Sequence, residues 1–445
     1  MEIFVDHREE EERKINRQIC KAGTFSQEAE SGTTRSMMCG HNFIVVTLVL
    51  LAVTTASSFS FPPPPHHHHR HHHHLVISSS SRQQSTASGI DAGETDLTAT
   101  SIDDEERNNC RVLLMDHLNI NHEKGRHDAL KAFYFDFLGC SVDPRKYDNY
   151  LEGKNTLWAN AGLHQFHLPE GNPHAQVFNG MITLIHEDLD GLMEKYNEYL
   201  DGDERLKPLK DTEFLVGIVG DDDDDNMMLV TDPWGTEFCL LPSDDPAEDR
   251  AAHIGSQPVV TLDVPSRALA MEDITVYVSH DVNLDGIGRF YEHILGARTI
   301  GELSSQASIC IAMGERQTLT FQHHPDGPET EIFHHDFGHD QIMKEIEADT
   351  DATSYPANFG PHISLYVTNI AEAYSRAEKL GVLFVNTRFK RLAYTQDDAI
   401  DQCMFRLINI IDPLDNKREI ILRLEHEVRS VTTREGKKYK SCPLL

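Results

Sequence analysis

The chain has 445 residues, with 72 acidic and 40 basic side chains and a formal charge of −32. At 39 % hydrophobic and 25 % charged residues it is too apolar for a disordered protein and long enough for two or three domains. So acidic a balance argues against a nucleic-acid partner, which needs clustered Lys and Arg; eight cysteines without C-x-x-C spacing indicate neither a disulfide scaffold nor a zinc ribbon.

The first hundred residues read as an address. Phe43 to Ala56 is a 14-residue apolar run ending in small residues, the length of a signal-peptide core and short for a bilayer span. Either translation begins near Met37, or the segment is a signal anchor with a polar tail before it. From Ser57 to Ile90 there is no Asp or Glu, and the stretch holds Pro62 to Pro65, a His tract broken by Arg70, and Ser78 to Ser81. Such a segment buries no core. The junction Ala56-Ser57-Ser58-Phe59 resembles the bipartite presequence of diatoms and related algae, which implies plastid import through the secretory route; plain secretion or membrane anchoring is the alternative. The His tract is also readable as a metal-binding tail.

From Val112 onward the same landmarks occur twice. In the first copy the strand Val112 to Ile120 leads into a helix over Asp128 to Leu138 that closes Phe133-Tyr134, three residues, Leu138-Gly139. In the second, the strand Ile274 to Val278 leads into Phe290-Tyr291, three residues, Leu295-Gly296. The glycines predict left-handed helix caps. Met181 to Ile185 then precedes a helix to about Leu200, and His362 to Val367 precedes a helix to about Leu380. Each copy closes with an Asp-Pro turn and a strand, at Asp232-Pro233 and at Asp412-Pro413. Each copy therefore reads β-α-β-β-β twice, an α+β pattern. The ranges are a leader over 1–110, copies over 111–245 and 271–428, a linker over 246–270 and a basic tail over 429–445.

This order resembles the vicinal oxygen chelate superfamily, which includes glyoxalase I, extradiol dioxygenases and bleomycin-resistance proteins. The resemblance covers about residues 112 to 427. It implies paired β-α-β-β-β modules that curl into cups binding a metal or a small ligand, with metal ligands on the first, fourth, fifth and eighth strands. Carried over, those positions are His117, Gln165, Met181 and Cys239 in the first copy, and Asp273, a position near Gln322, His362 and Glu419 in the second. His167 shares a strand face with Gln165 and is an alternative to it. If modules pair across the copies, one cup collects His117, Gln165, His362 and Glu419, and the other is left with Asp273, Gln322, Met181 and Cys239.

The first set grouped together suits a divalent ion such as Zn, Ni, Mn or Fe, with an open position for substrate. The resemblance then implies chelation of two neighbouring substrate oxygens, with Glu419 detaching to serve as base. A glyoxalase-like lyase or isomerase for a small carbonyl compound is the leading expectation. An extradiol-type dioxygenase and a metal-free small-molecule-binding protein are the alternatives. A monomer and a homodimer are both compatible, and no membrane partner is expected for the mature chain. Each candidate also has a plain reading: a hydrogen-bonded strand histidine for His117 or His362, a solvated strand end for Asp273, an apolar filler for Cys239 and a rim charge for Glu237. The run Asp221 to Asp225 reads as a solvated loop. The insertion Pro325 to Asn358, with His334, His335 and His339, reads as a surface excursion or a lid.

Overall fold

The computed structural model describes residues 110–171, 174–219, 227–244, 246, 265–300, 307–328, 361–387 and 389–444. The leader, the Asp221–Asp225 run and the His334–His339 segment lie outside the described residues.

Four modules follow one another, each a long strand, a helix and three strands. The first comprises β1 (Val112–Asn119), β2 (Ser141–Val142), β3 (Leu157–Ala161) and β4 (His164–Leu168). The second has β5 (Gly180–His186), β6 (Leu215–Val219), β7 (Met227–Thr231) and β8 (Glu237–Pro242). The third has β9 (Ala268–Val278), β10 (Thr299–Ile300), β11 (Ser308–Ala312) and β12 (Thr318–His323). The fourth has β13 (His362–Val367), β14 (Leu383–Phe384), β15 (Met404–Ile411) and β16 (Ile420–Ser430).

The modules pair across the copies. One eight-stranded sheet runs β14-β15-β16-β13-β1-β4-β3-β2 and joins modules 4 and 1; the other runs β10-β11-β12-β9-β5-β8-β7-β6 and joins modules 3 and 2. The two glyoxalase-like halves are tandem in sequence but interleaved in space, so 111–245 and 271–428 each give one module to each sheet. β9 begins inside the range read as linker, and β16 runs on into the range read as tail. The tail itself folds back, burying Tyr439 and Cys442 with Leu114, Tyr366 and Cys403.

Apolar periodicity places the helices. Leu284–Leu295 buries Phe290, Tyr291, Ile294 and Leu295, and the first module's helix buries Phe133, Tyr134, Phe137 and Leu138. The latter begins as an α-helix over His127–Lys131 and continues as a π-helix over Ala132–Phe137. Gly139 and Gly296 take φ of 68° and 64°, the left-handed cap their position predicts. At Gly296 a Cβ would stand 1.8 Å from the Cys110 carbonyl oxygen, so the close approach also requires glycine. Asp188, Asn283 and Asn369 cap three helices, accepting the N–H of Gly191, Gly286 and Glu372. The Asp-Pro landmarks are side-chain-closed turns: Asp232 Oδ1 accepts the N–H groups of Trp234, Gly235 and Thr236. Among the described residues, no helix is long and apolar enough to cross a membrane.

Candidate metal centre

The sheet of modules 1 and 4 brings together strands that begin 250 positions apart. β1 pairs antiparallel with β13, and each runs parallel to the last strand of its own module. In this register Asn119 stands opposite His362, His117 opposite Ser364 and beside Gln165, and His362 beside Glu425. His117, His167 and His362 thereby place one ring nitrogen each within 4.8 Å of the others.

A β-bulge shapes the first of these. Between the pairs Met115–Leu365 and His117–Ser364, β1 carries one extra residue, Asp116. Bulges re-aim side chains, and here two consecutive residues meet: His117 Nδ1 donates to Asp116 Oδ2 at 2.7 Å. The proton is thus fixed on Nδ1, and Nε2, buried and with no hydrogen-bond partner, carries the lone pair. Burial pulls the His117 pKa below its usual value, against the hydrogen bond to Asp116. His167 is held well below, by burial and then by His117. Both rings are neutral donors at neutral pH.

Around them lies a buried ion network. Arg406 pairs with Glu425 and Glu427, and Arg429 pairs with Glu427 and Asp116. Burial pushes Glu427 up, but Arg406 and Arg429 outweigh it and hold its carboxyl well below the usual range. Glu425, also held by Asn386 Nδ2, is pushed up by burial despite Arg406. Glu427 Oε2 lies 3.8 Å from His362 Nε2.

The three imidazoles, Arg406, Glu427 and Arg429 line a cavity of about 650 Å³. Its wall is cationic: Arg145 and Lys146 after β2, Lys390 and Arg391 after β14, and Lys440 in the tail join Arg406 and Arg429. Arg145 is matched by Asp143. Lys146, Lys390, Arg391 and Lys440 have no carboxylate partner among the described residues; Arg391 meets the Tyr439 hydroxyl, and Lys146 sits over the Trp158 ring at 5.4 Å. Trp158 and Phe389 supply the apolar wall, in edge contact with His167 and His362.

Of the residues expected at this site, His117 and His362 meet. Gln165 lines the same cavity, but its Nε2 donates to Asp143 Oδ2 at 2.6 Å and to the Asn160 amide oxygen. It therefore braces the wall, and His167 is the side chain of that strand that reaches the other imidazoles. Glu419 is corrected: its side chain is 74 % exposed, next to Lys417, outside the cavity. The cause is a count. Cys239 stands seven positions after Asp232, and Glu419 seven after Asp412. But β8 spans 6 residues and β16 spans 11, so the residue aligned with Cys239 is Glu427. The pairings Thr183–Cys239 and Ser364–Glu427 fix that equivalence.

The second cup is of another kind. The counterpart of His117 is Asp273, and Thr318 and Thr320 stand where Gln165 and His167 do, in place of the expected Gln322. Asp273 accepts hydrogen bonds from Thr275, Thr318 and Thr320 hydroxyls. Met181 and Glu237 match His362 and Glu425. Cys239 lies 4.0 Å from the Met227 sulfur, its thiol pushed up to about 11 by burial. Glu237 is pushed up to about 6, by burial and then by Asp326.

No family model matches the chain, and no curated protein matches it in sequence. Among solved structures it is similar to glyoxalase I from Zea mays, at 11 % identity and a TM-score of 0.37, over 72 % of this chain and 92 % of that one. It is also similar to 2,2',3-trihydroxybiphenyl 1,2-dioxygenase from Sphingomonas wittichii, at 10 % identity and a TM-score of 0.22, over 72 % and 90 %. The observation that decides the architecture is internal: two sheets, each two β-α-β-β-β modules joined edge to edge through their first strands. The fold is of the vicinal oxygen chelate type.

Proposed function

We propose that the cup of modules 1 and 4 is a metal-dependent site that acts, as a glyoxalase-type lyase or isomerase, on a small carbonyl compound bearing negative charge. The observation that carries this reading is the convergence of three imidazoles from β1, β4 and β13 beside a cationic cavity. The residues fit a divalent ion. His117 presents a buried lone pair without a partner, oriented by Asp116 as second-layer carboxylates orient ligating histidines. His117, His167 and His362 would hold the ion, with a position left open to the cavity. When bound, it supplies Lewis acidity to two neighbouring oxygens of the substrate.

The chain's own groups do the rest. Lys146, Lys390, Arg391 and Lys440 hold the substrate's anionic groups, and Trp158 and Phe389 keep water from its reacting end. Glu427 is locked as a carboxylate by two arginines, so it contributes fixed negative charge and is a poor proton acceptor. Glu419, outside the cavity, loses the base role expected of it, and Glu427 does not inherit that role.

Metal analysis of the full-length chain and of its His362→Ala variant tests the reading. The expected result is one transition-metal ion fewer in the variant; the His-rich leader is common to both and cancels. Equal metal in both would leave a binding protein as the better reading, and oxygen uptake with a catechol would move it to a dioxygenase. For the leader the proposal remains plastid import, which a reporter fused to residues 37–100 and retained in the secretory pathway would overturn.

A further inference from the structure

Away from the cup, a second set of donors converges among the described residues. His122 follows β1, Glu170 follows β4, and His127 opens the first module's helix. None of the three lines the cup cavity. One donor atom from each lies within 4.8 Å of the other two. His122 and His127 are 1 % and 5 % exposed, and Glu170 is half-buried beside them.

The protons decide what this pair can be. His127 Nε2 lies 2.7 Å from the Asn155 carbonyl oxygen, which can only accept, so Nε2 carries the proton and Nδ1 presents a lone pair. His122 Nε2 faces that lone pair at 3.4 Å. A proton on His122 Nε2 would make a hydrogen bond at the long limit for an N–H donor and leave Nδ1 a buried acceptor without a partner. A proton on His122 Nδ1, with the Pro169 and Leu168 carbonyls near the ring to receive it, would leave two lone pairs facing each other, an arrangement that a cation between them relieves. Two nitrogens bound at about 2.0–2.1 Å in tetrahedral geometry stand about 3.4 Å apart. The observed separation matches that spacing.

Glu170 completes the set. Its Oε1 accepts the Gly125 N–H at 2.9 Å, which holds the carboxylate in place and leaves Oε2 for a further partner. The Asn155 carbonyl and the Gly125 amide are thus the outer supports that ligating imidazole and carboxylate groups use.

We propose that His122, His127 and Glu170 form a second site, distinct from the cup, for a divalent transition-metal ion of the zinc class. Its fourth position opens past the half-buried Glu170. The ion ties the start of the first helix to the ends of β1 and β4, so its binding stabilises module 1.

The test uses the full-length chain, wild type beside His127→Gln and Glu170→Gln, with Zn²⁺ or Co²⁺ alone as probe. Cup and leader are common to all three, so any difference belongs to this site. The expected result is one zinc fewer per chain in His127→Gln and at least tenfold weaker retention in Glu170→Gln. The wild-type-minus-variant Co²⁺ spectrum should show the visible bands of a four-coordinate N/O site, and added Zn²⁺ should raise the wild-type Tm more than either variant's. Should His127→Gln fail to fold, Glu170→Gln, which keeps an acceptor for Gly125, decides. Equal zinc and equal Tm response in wild type and Glu170→Gln would overturn the proposal.

Discussion

The two cups share a strand order, a module pairing and even a bulge at the same place, yet among the described residues only one brings three imidazoles together. In the first, Asp116 and His117 occupy the bulge; in the second, Glu272 and Asp273 do. Position by position, imidazole faces carboxylate at 117 and 273, imidazole faces hydroxyl at 167 and 320, and carboxylate faces thiol at 427 and 239. The backbone therefore sets where side chains converge and leaves their chemistry open. Asp273 is already satisfied by three hydroxyls, whereas His117 keeps an unbonded nitrogen. A fold of this kind leaves function to the residues placed on it.

The contrast can be broken at several points. The largest effect should come from His117→Ala, which removes the oriented donor and is expected to lower turnover on a carbonyl substrate by at least about 100-fold and release the ion, read by metal analysis. Asp273→Ala in the other cup should leave bound metal unchanged; metal loss there would mean that the second cup is occupied as well. Arg406→Met comes next. It leaves Glu425 buried without an ion-pair partner, while Glu427 keeps Arg429, and should cost about 3–5 kcal/mol in denaturant unfolding.

Acid should sharpen the picture. His186, outside the ion network of the first cup, donates through Nε2 to the Leu138 carbonyl and accepts the Asp188 N–H at Nδ1, so it is held neutral. Burial lowers its pKa to about 4, against 6.5 when free. The unfolded chain therefore binds the proton first, and this group's contribution is complete above pH 6.5 and is lost as pH falls toward 4, on the order of 3 kcal/mol in all. His186→Gln should flatten that part of the stability–pH curve. Smaller still, Lys390→Glu should weaken binding of an anionic substrate by about tenfold, seen in KM, with Tm little changed. Smallest of all, Glu419→Gln should change stability by less than about 0.5 kcal/mol and leave metal content alone.

How far the sequence carries is visible in individual residues. The pairing of Phe133-Tyr134 with Phe290-Tyr291, the capping glycines and the Asp-Pro turns are local signals, set by helix periodicity and turn stereochemistry, and each stands where it was expected. His117 and His362 were legible because strand alternation separates polar from apolar faces. Glu427 was not, since counting from a turn assumes strands of equal length, and β16 is the longer. The His122 group was missed for another reason: His122 and Glu170 lie beyond the strand ends, where alternation stops. A His five positions before another, at the mouth of a helix, was the signal available for it.

By itself, then, the sequence determined the four modules, their order and the faces of their strands, because hydrophobic period and turn chemistry act over a few residues. Only the tertiary structure decided depth. Which residue along a strand reaches a shared centre depends on register between strands far apart in the chain. The bulge at Asp116, the length of β16 and the return of the tail with Lys440 are set by packing that no local pattern encodes.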